Sequence, residues 1–375
     1  MEMSEYGDLN IGILINVHGS SDKGLCSKTP SIWSLLAPLQ IQYTIGKINA
    51  DIKILPNLTL GFKVVDTCDQ LNGAVSRLIE FLPQACPQIR EDENYVGLLG
   101  PGSSSSAVPA AALGSQYELP LLSTYATSEE LSNKVRFKYF SRLVPPDSVV
   151  AEAISQLLED SKWSFIQLLY SEGSYGENAA KSIEKNTKAK GICIGFKYRF
   201  SSDMTDDYSY IARKVLENRK AKVIVLIAFG SHVRKFISAL SKSKRPERFI
   251  FIASDSFSPI SGYEDQFQGS IQFYFKYGLD PVFHNYVNSL KPSDANHYWI
   301  EKLWELTGNC NFTTTCQNIS KFSEVGSAFS LTNYVITAKY GDGLEVYAKA
   351  LHDLVISKCP LAFQHKSILK VIDQF

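Results

Sequence analysis

What the chain lacks narrows it before any motif is read. It has no run of about 18 apolar residues, so no segment reads as a membrane-spanning helix. Its 38 basic and 38 acidic residues cancel, which removes the electrostatic case for nucleic acid or an anionic membrane surface. None of its seven cysteines forms a C-x-x-C pair, and its six histidines have no ligand spacing, so neither a metal nor a cofactor is expected. There is no Gly-x-Ser-x-Gly elbow. None of His18, His232, His284, His297, His352 and His365 lies in a motif that marks a catalytic base, so catalysis is not expected. The stretch from Met1 to Asp8 is acidic and has no apolar core, so it does not read as a signal peptide.

What is present is a globular chain of 375 residues, 45% hydrophobic and 20% charged, long enough for two or three domains. Apolar runs predict strands at 11–15, 60–65, 95–99, 119–122, 164–169, 192–197, 223–227, 249–253 and 272–275. Helical periodicity predicts helices at 32–48, 74–82, 107–117, 149–158, 176–184, 208–216 and 233–240, then at 283–290, 297–306 and 344–356. Strand–helix alternation at this spacing is the mark of parallel sheets wrapped by helices. The two alternating blocks divide near Pro145-Pro146. The late helices must cover a sheet already built, with the first block the expected host.

The stretch 95–106 organises the rest. A buried strand runs into Gly100-Pro101-Gly102, and Ser103, Ser104 and Ser105 open a helix. Unpaired N–H groups and the helix dipole at such a terminus suit a carboxylate or phosphate. The alternative is an ordinary cap on an ordinary turn. In open parallel sheets ligands lie beyond the carboxyl ends of strands. There the sequence places Ser103 to Ser105, Ser123 to Thr127 with Tyr125 among them, Asp147, Ser171 to Tyr175, Phe229 with Gly230, and Ser254 to Ser256 with Asp255 at its centre. Hydroxyl and N–H donors in one block, with carboxylates and an aromatic in the other, are what a zwitterion needs. Each has a second reading: Asp147 as a helix cap, Tyr175 as a packed loop aromatic, Asp255 as a turn former.

Three N-x-S/T sequons begin at Asn57, Asn311 and Asn318, and the last two flank Cys310 and Cys316 in a Thr-rich loop. Together with the seven cysteines they point to a secreted or extracellular chain whose export signal lies outside these residues.

Several segments resemble one family jointly: 47–51, 55–61, 66–68, 100–105, 140–147, 172–177 and Ser254-Asp255. The chain resembles the extracellular Venus-flytrap ligand-binding domain of class C G-protein-coupled receptors, most of all the metabotropic glutamate receptors. The resemblance implies a two-lobed α/β clamshell of the periplasmic-binding-protein-like type I fold, each lobe a mostly parallel sheet flanked by helices. Lobe 1 would be 1–145 with 277–375, shortened at its C-terminal end, and lobe 2 would be 146–276.

It also implies an L-α-amino acid as ligand. By that match Ser104 and Thr127 receive the α-carboxylate, and Ser103 and Tyr125 count among the ligand-binding residues. Asp147, Tyr175 and Asp255 surround the ammonium, and Gly230 offers a backbone contact. The basic clamp on the glutamate side chain is mostly absent. Two of its first-lobe positions are Trp33 and Ala37, its second-lobe arginine is Ile260, and Lys339 stands near the last basic position. A buried carboxylate without cations is unfavourable, so a neutral or apolar ligand side chain is expected.

The resemblance pairs Cys26 with Cys68 and Cys310 with Cys316. It gives Cys86 to a disulfide between protomers, and Cys193 and Cys359 to partners outside this chain. It further implies a homo- or heterodimer through lobe 1, near 74–82 and 107–117. The location implied is the extracellular side of the cell membrane, with G-protein signalling only through a transmembrane region absent from these residues. Two other functions remain open: a soluble amino-acid-binding or decoy protein, and an interaction module with a vestigial cleft.

Overall fold

The computed structural model describes residues 2–20, 26–32, 34–68, 70–82, 95–218, 220–243, 248–254, 262–275, 278–326, 331–358 and 363. In chain order the strands are β1 (Glu2–Glu5), β2 (Leu9–Ile15), β3 (His18–Ser20), β4 (Cys26–Pro30), β5 (Leu60–Asp66), β6 (Tyr95–Leu99), β7 (Leu121–Ser123), β8 (Phe140–Arg142), β9 (Phe165–Ser171), β10 (Cys193–Phe200), β11 (Val223–Ile227), β12 (Ile250–Ala253) and β13 (Ile271–Gln272). The helices are α1 (Leu36–Ala50), α2 (Leu71–Leu78), α3 (Ser104–Gln116), α4 (Asp147–Asp160), α5 (Ser174–Ala189), α6 (Tyr208–Glu217), α7 (Gly230–Ser241), α8 (Pro281–Ser289), α9 (Tyr298–Gly308) and α10 (Leu331–Lys358). The chain divides into two compact units. The first is Met1–Tyr125, Lys134–Leu143 and Tyr277–Phe375; the second is Ala126–Asn133 and Val144–Lys276.

The first unit is built on a sheet in the order β1-β5-β2-β6-β7-β8, parallel except at its β1 edge. β2 and β5 are buried along their whole lengths, as a central strand covered on both faces must be. One face packs on α1, α8, α9 and α10 through a core that includes Ile11, Ile13, Phe62, Phe283, Trp299 and Trp304. α2 lies against β2 and β5, and α3 against β7 and β8. The edge strand β1 is polar and was not expected. It is held by Lys63 of β5, whose ammonium is 3.2 Å from carboxylates of both Glu2 and Glu80.

Several predicted helices change their bounds, two of them for a clear physical reason. The helix expected from residue 32 begins at Leu36. Pro38 explains the shift: it has no N–H for the carbonyl of Ser34 and so is accommodated only in a first turn. The helix expected at 344–356 is the second half of α10, which starts at Leu331. Gly341 and Gly343 disfavour a helix by propensity, yet they allow close approach. A Cβ at Gly341 would stand 2.9 Å from Gln40 and 3.1 Å from Thr44 of α1, and one at Gly343 would collide with Leu99 of β6. The strand expected at 272–275 is reduced to Ile271–Gln272.

The second unit carries a wholly parallel sheet in the order β10-β9-β11-β12-β13. β11 shows why helices cover both faces. Its side chains alternate, Ile224 and Leu226 joining α6 and α7, while Val223, Val225 and Ile227 join α4 and α5. Among the described residues no helix is long and apolar enough to cross a membrane.

Candidate functional site

In the first unit the turn after β6 is set by Gly100. Its φ is +88°, and a Cβ there would collide with the Leu14 carbonyl oxygen. The Gly100 amide donates to Leu122, and the Ser123 hydroxyl donates to the Pro101 carbonyl at 2.6 Å. The helix begins at Ser104 rather than Ala107. Ser103 is its cap, its hydroxyl accepting from the Ser106 amide at 3.3 Å, and Ser104 is buried in the first turn. The capping reading therefore holds for Ser103. Tyr125 is beside this turn, since a Cβ on Gly102 would touch its side chain at 3.5 Å. The Tyr125 hydroxyl donates to the Ile336 carbonyl of α10. Lys339 follows on the same helix, its ammonium 2.7 Å from Asp342. The unexpected first half of α10 thus brings Tyr125, Ile336 and Lys339 to one part of the unit.

In the second unit three adjacent strands, β9, β11 and β12, deliver their carboxyl ends side by side. Tyr175, in the first turn of α5, is buried. Its hydroxyl is 2.5 Å from the Ser254 hydroxyl and its ring is 5.5 Å from that of Phe229. The Ser171 hydroxyl accepts from the Phe229 amide at 3.0 Å, fixing the turn that leads to Gly230. Asp147 is buried in the first turn of α4, and its amide donates to the Thr127 carbonyl at 2.8 Å. It is not a side-chain cap: the residue before the helix is Pro146. The Asn178 amide of α5 donates to Ser128 at 3.1 Å, which ties the 126–133 segment to this unit. Asn178 was not singled out in the sequence; its one signal is its place a turn after Tyr175.

The second unit therefore pairs Thr127 with Asp147, and separately brings Tyr175 to Ser254 and to Phe229, the residue before Gly230. The first brings together Ser103, Ser104, Tyr125 and Lys339. Asp255, Trp33 and Ile260 lie outside the described residues, as do Cys86 and Cys359. Ala37 is buried in the first turn of α1. Two disulfides form, Cys26–Cys68 and Cys310–Cys316, and Cys193 is an exposed free thiol. Asn57, Asn311 and Asn318 are all exposed. The Asn57 amide donates to Phe363 at 3.1 Å, while the Asn311 side-chain oxygen accepts from the Thr313 hydroxyl at 2.7 Å. No cluster of metal-ligating side chains occurs among the described residues.

Two units, each a mostly parallel sheet flanked by helices, define the periplasmic-binding-protein-like fold. The chain belongs to the receptor family ligand binding region, which it matches over residues 40–374. Its relatives include metabotropic glutamate receptor 4 of Mus musculus, 26% identical over 94% of this chain and 42% of the receptor. Metabotropic glutamate receptor 4 of Rattus norvegicus is also 26% identical over the same shares. The metabotropic glutamate receptor of Drosophila melanogaster is 26% identical over 96% of this chain and 41% of the receptor. The similarity to class C receptors expected from the motifs is therefore shown, and the relatives are receptors rather than enzymes. The chain spans less than half the length of these relatives.

Proposed function

We propose that the two units are the lobes of an extracellular clamshell that binds an L-α-amino acid. The observation that carries this reading is the buried carboxylate of Asp147 at the start of α4, whose amide donates to the Thr127 carbonyl. Such a carboxylate suits an α-ammonium; Tyr175 and Asp255 are proposed to join it. The donors for the α-carboxylate are Ser104 and Thr127, with helix N–H groups at the start of α3, and Ser103 and Tyr125 line the same site. Gly230 contributes a backbone group. Ala37 offers no cation, and Lys339 is paired with Asp342, so a neutral side chain is the preferred ligand. Trp33 and Lys339 are proposed to face that side chain.

Differential affinity for the closed state drives closure, and in a complete receptor this passes to a dimer formed through the first unit and on to a membrane bundle. Cys86 is proposed to link the protomers. Calorimetric titration of the chain with a panel of L-amino acids tests the reading. Saturable heat with a neutral amino acid, lost in Asp147→Ala while far-UV circular dichroism is unchanged, is the expected result. No heat from folded protein with any amino acid would sink it.

A further inference from the structure

The balanced charge of the whole chain conceals a local excess. From Tyr208 to Arg248 the sequence holds eleven lysines and arginines and two glutamates, a net charge of +9 with His232 left aside. Among the described residues of this stretch, Arg213, Lys220, Lys222, Arg234, Lys235, Lys242 and Arg248 are exposed. The aspartates just before it serve local structure: Asp207 caps α6, and Asp206 accepts from Tyr198 and from the Ser201 amide.

Between α6 and α7 runs an open groove of about 400 Å³, with Ala212, Leu216 and Ala239 on its apolar floor. Arg213 and Lys242 flank it, and Ser209 and Ser243 line it. Its one lining acid, Glu217, is neutralised by Lys214 at 2.7 Å. The Arg213 guanidinium rests 5.4 Å over the Tyr210 ring, which holds it at the rim.

We infer that the α6–α7 face of the second unit binds a sulfated polysaccharide. Repeated cations spread along two helices and their loops match a polymer of repeated anionic groups, and a guanidinium at the groove rim suits a planar fork onto sulfate oxygens. Two competing polyanions fit less well. A lipid surface calls for apolar side chains to insert, and the exposed large apolar residues described in this stretch are Tyr210 and Phe229. A single-stranded nucleic acid calls for several aromatic platforms, and the one exposed tyrosine described in this stretch, Tyr210, already has Arg213 and Lys214 at 5.4 and 5.8 Å from its ring. The inference is independent of the amino-acid site, because none of these cations is among its residues.

The test is binding of the chain to immobilised heparin, to de-sulfated heparin and to phosphatidylserine vesicles, across a salt series. Arg213→Glu with Lys242→Glu is the variant; Lys291→Glu with Lys321→Glu, the same charge change on the first unit, is the control. Saturable heparin binding should weaken about tenfold or more in the variant, with the salt slope reduced by about two, as for other polyanions. The control should change less than about twofold, since neither lysine belongs to the α6–α7 face, and exposed charges outside a contact act only weakly through salt. Equal loss in variant and control, retention on de-sulfated heparin as strong as on heparin, or binding to vesicles in preference to heparin would each overturn it.

Discussion

The two units share an architecture but are held together by different means. The first is fastened by covalent and buried polar links. Both disulfides fall in it, and beside one of them Asp66 is buried with its carboxylate accepting from the amides of Val17, His18 and Cys68. The His18 ring nitrogen completes this clamp at 2.5 Å. The second unit has no disulfide among its described residues. It relies on two apolar layers and a stacked cluster of Phe200, Tyr208, His232 and Phe236. The first unit is assembled from three separate stretches of chain and the second mostly from one. A unit whose parts are distant in sequence loses more entropy on closing its loops, and cross-links reduce that loss.

Breaking the clamp tests this contrast most severely. Asp66→Ala leaves three buried amides and a buried imidazole without their acceptor. A loss of about 3–5 kcal/mol is expected. Hydrogen exchange should show it in β2 and β5 while α4 to α7 keep their protection; a uniform loss across both units, or less than about 1 kcal/mol, contradicts the contrast.

The disulfides come next. Cys26–Cys68 spans 42 residues and Cys310–Cys316 spans 6. Loop-closure entropy then assigns about 4 kcal/mol to the first and about 2 kcal/mol to the second. Denaturant unfolding of Cys26→Ser with Cys68→Ser, compared with Cys310→Ser with Cys316→Ser, checks the order, and equal losses would reject the entropic account.

The smallest effect sharpens the comparison from the other side. His232 is buried, and burial lowers its pKa below the ordinary histidine value; Lys235 lowers it further and Asp206 opposes. The unfolded chain therefore binds the proton more readily. Stability of the second unit is full above the unfolded pKa of about 6.5 and falls as the pH drops through it, by at most about 1.4 kcal/mol per pH unit. The slope of melting temperature between pH 7 and pH 5 should be shallower in His232→Phe, which keeps the ring stack with Phe200. Identical slopes would remove His232 as the cause.

Local sequence set much of this protein. The run Val223–Ile227 is strand with the bounds its composition predicts, since four of its five apolar residues are β-branched and Lys222 precedes it. The Gly100 turn and the serines that open α3 were legible because backbone geometry there depends on glycine and on capping hydroxyls. Asp147, Tyr175 and Gly230 were legible as residues of helix first turns because they follow prolines or strand ends.

Other features were decided only by packing. β1 is a strand because its backbone pairs antiparallel with β5, where Glu2 also meets the buried Lys63. The first half of α10 is helix because Gly341 and Gly343 let it press onto α1 and β6, although glycine alone disfavours a helix. Residues 126–133 join the second unit through Asn178 and the Asp147 amide, a link that no periodicity announces. In each case the stabilising partner is distant along the chain, so local propensity had no access to it.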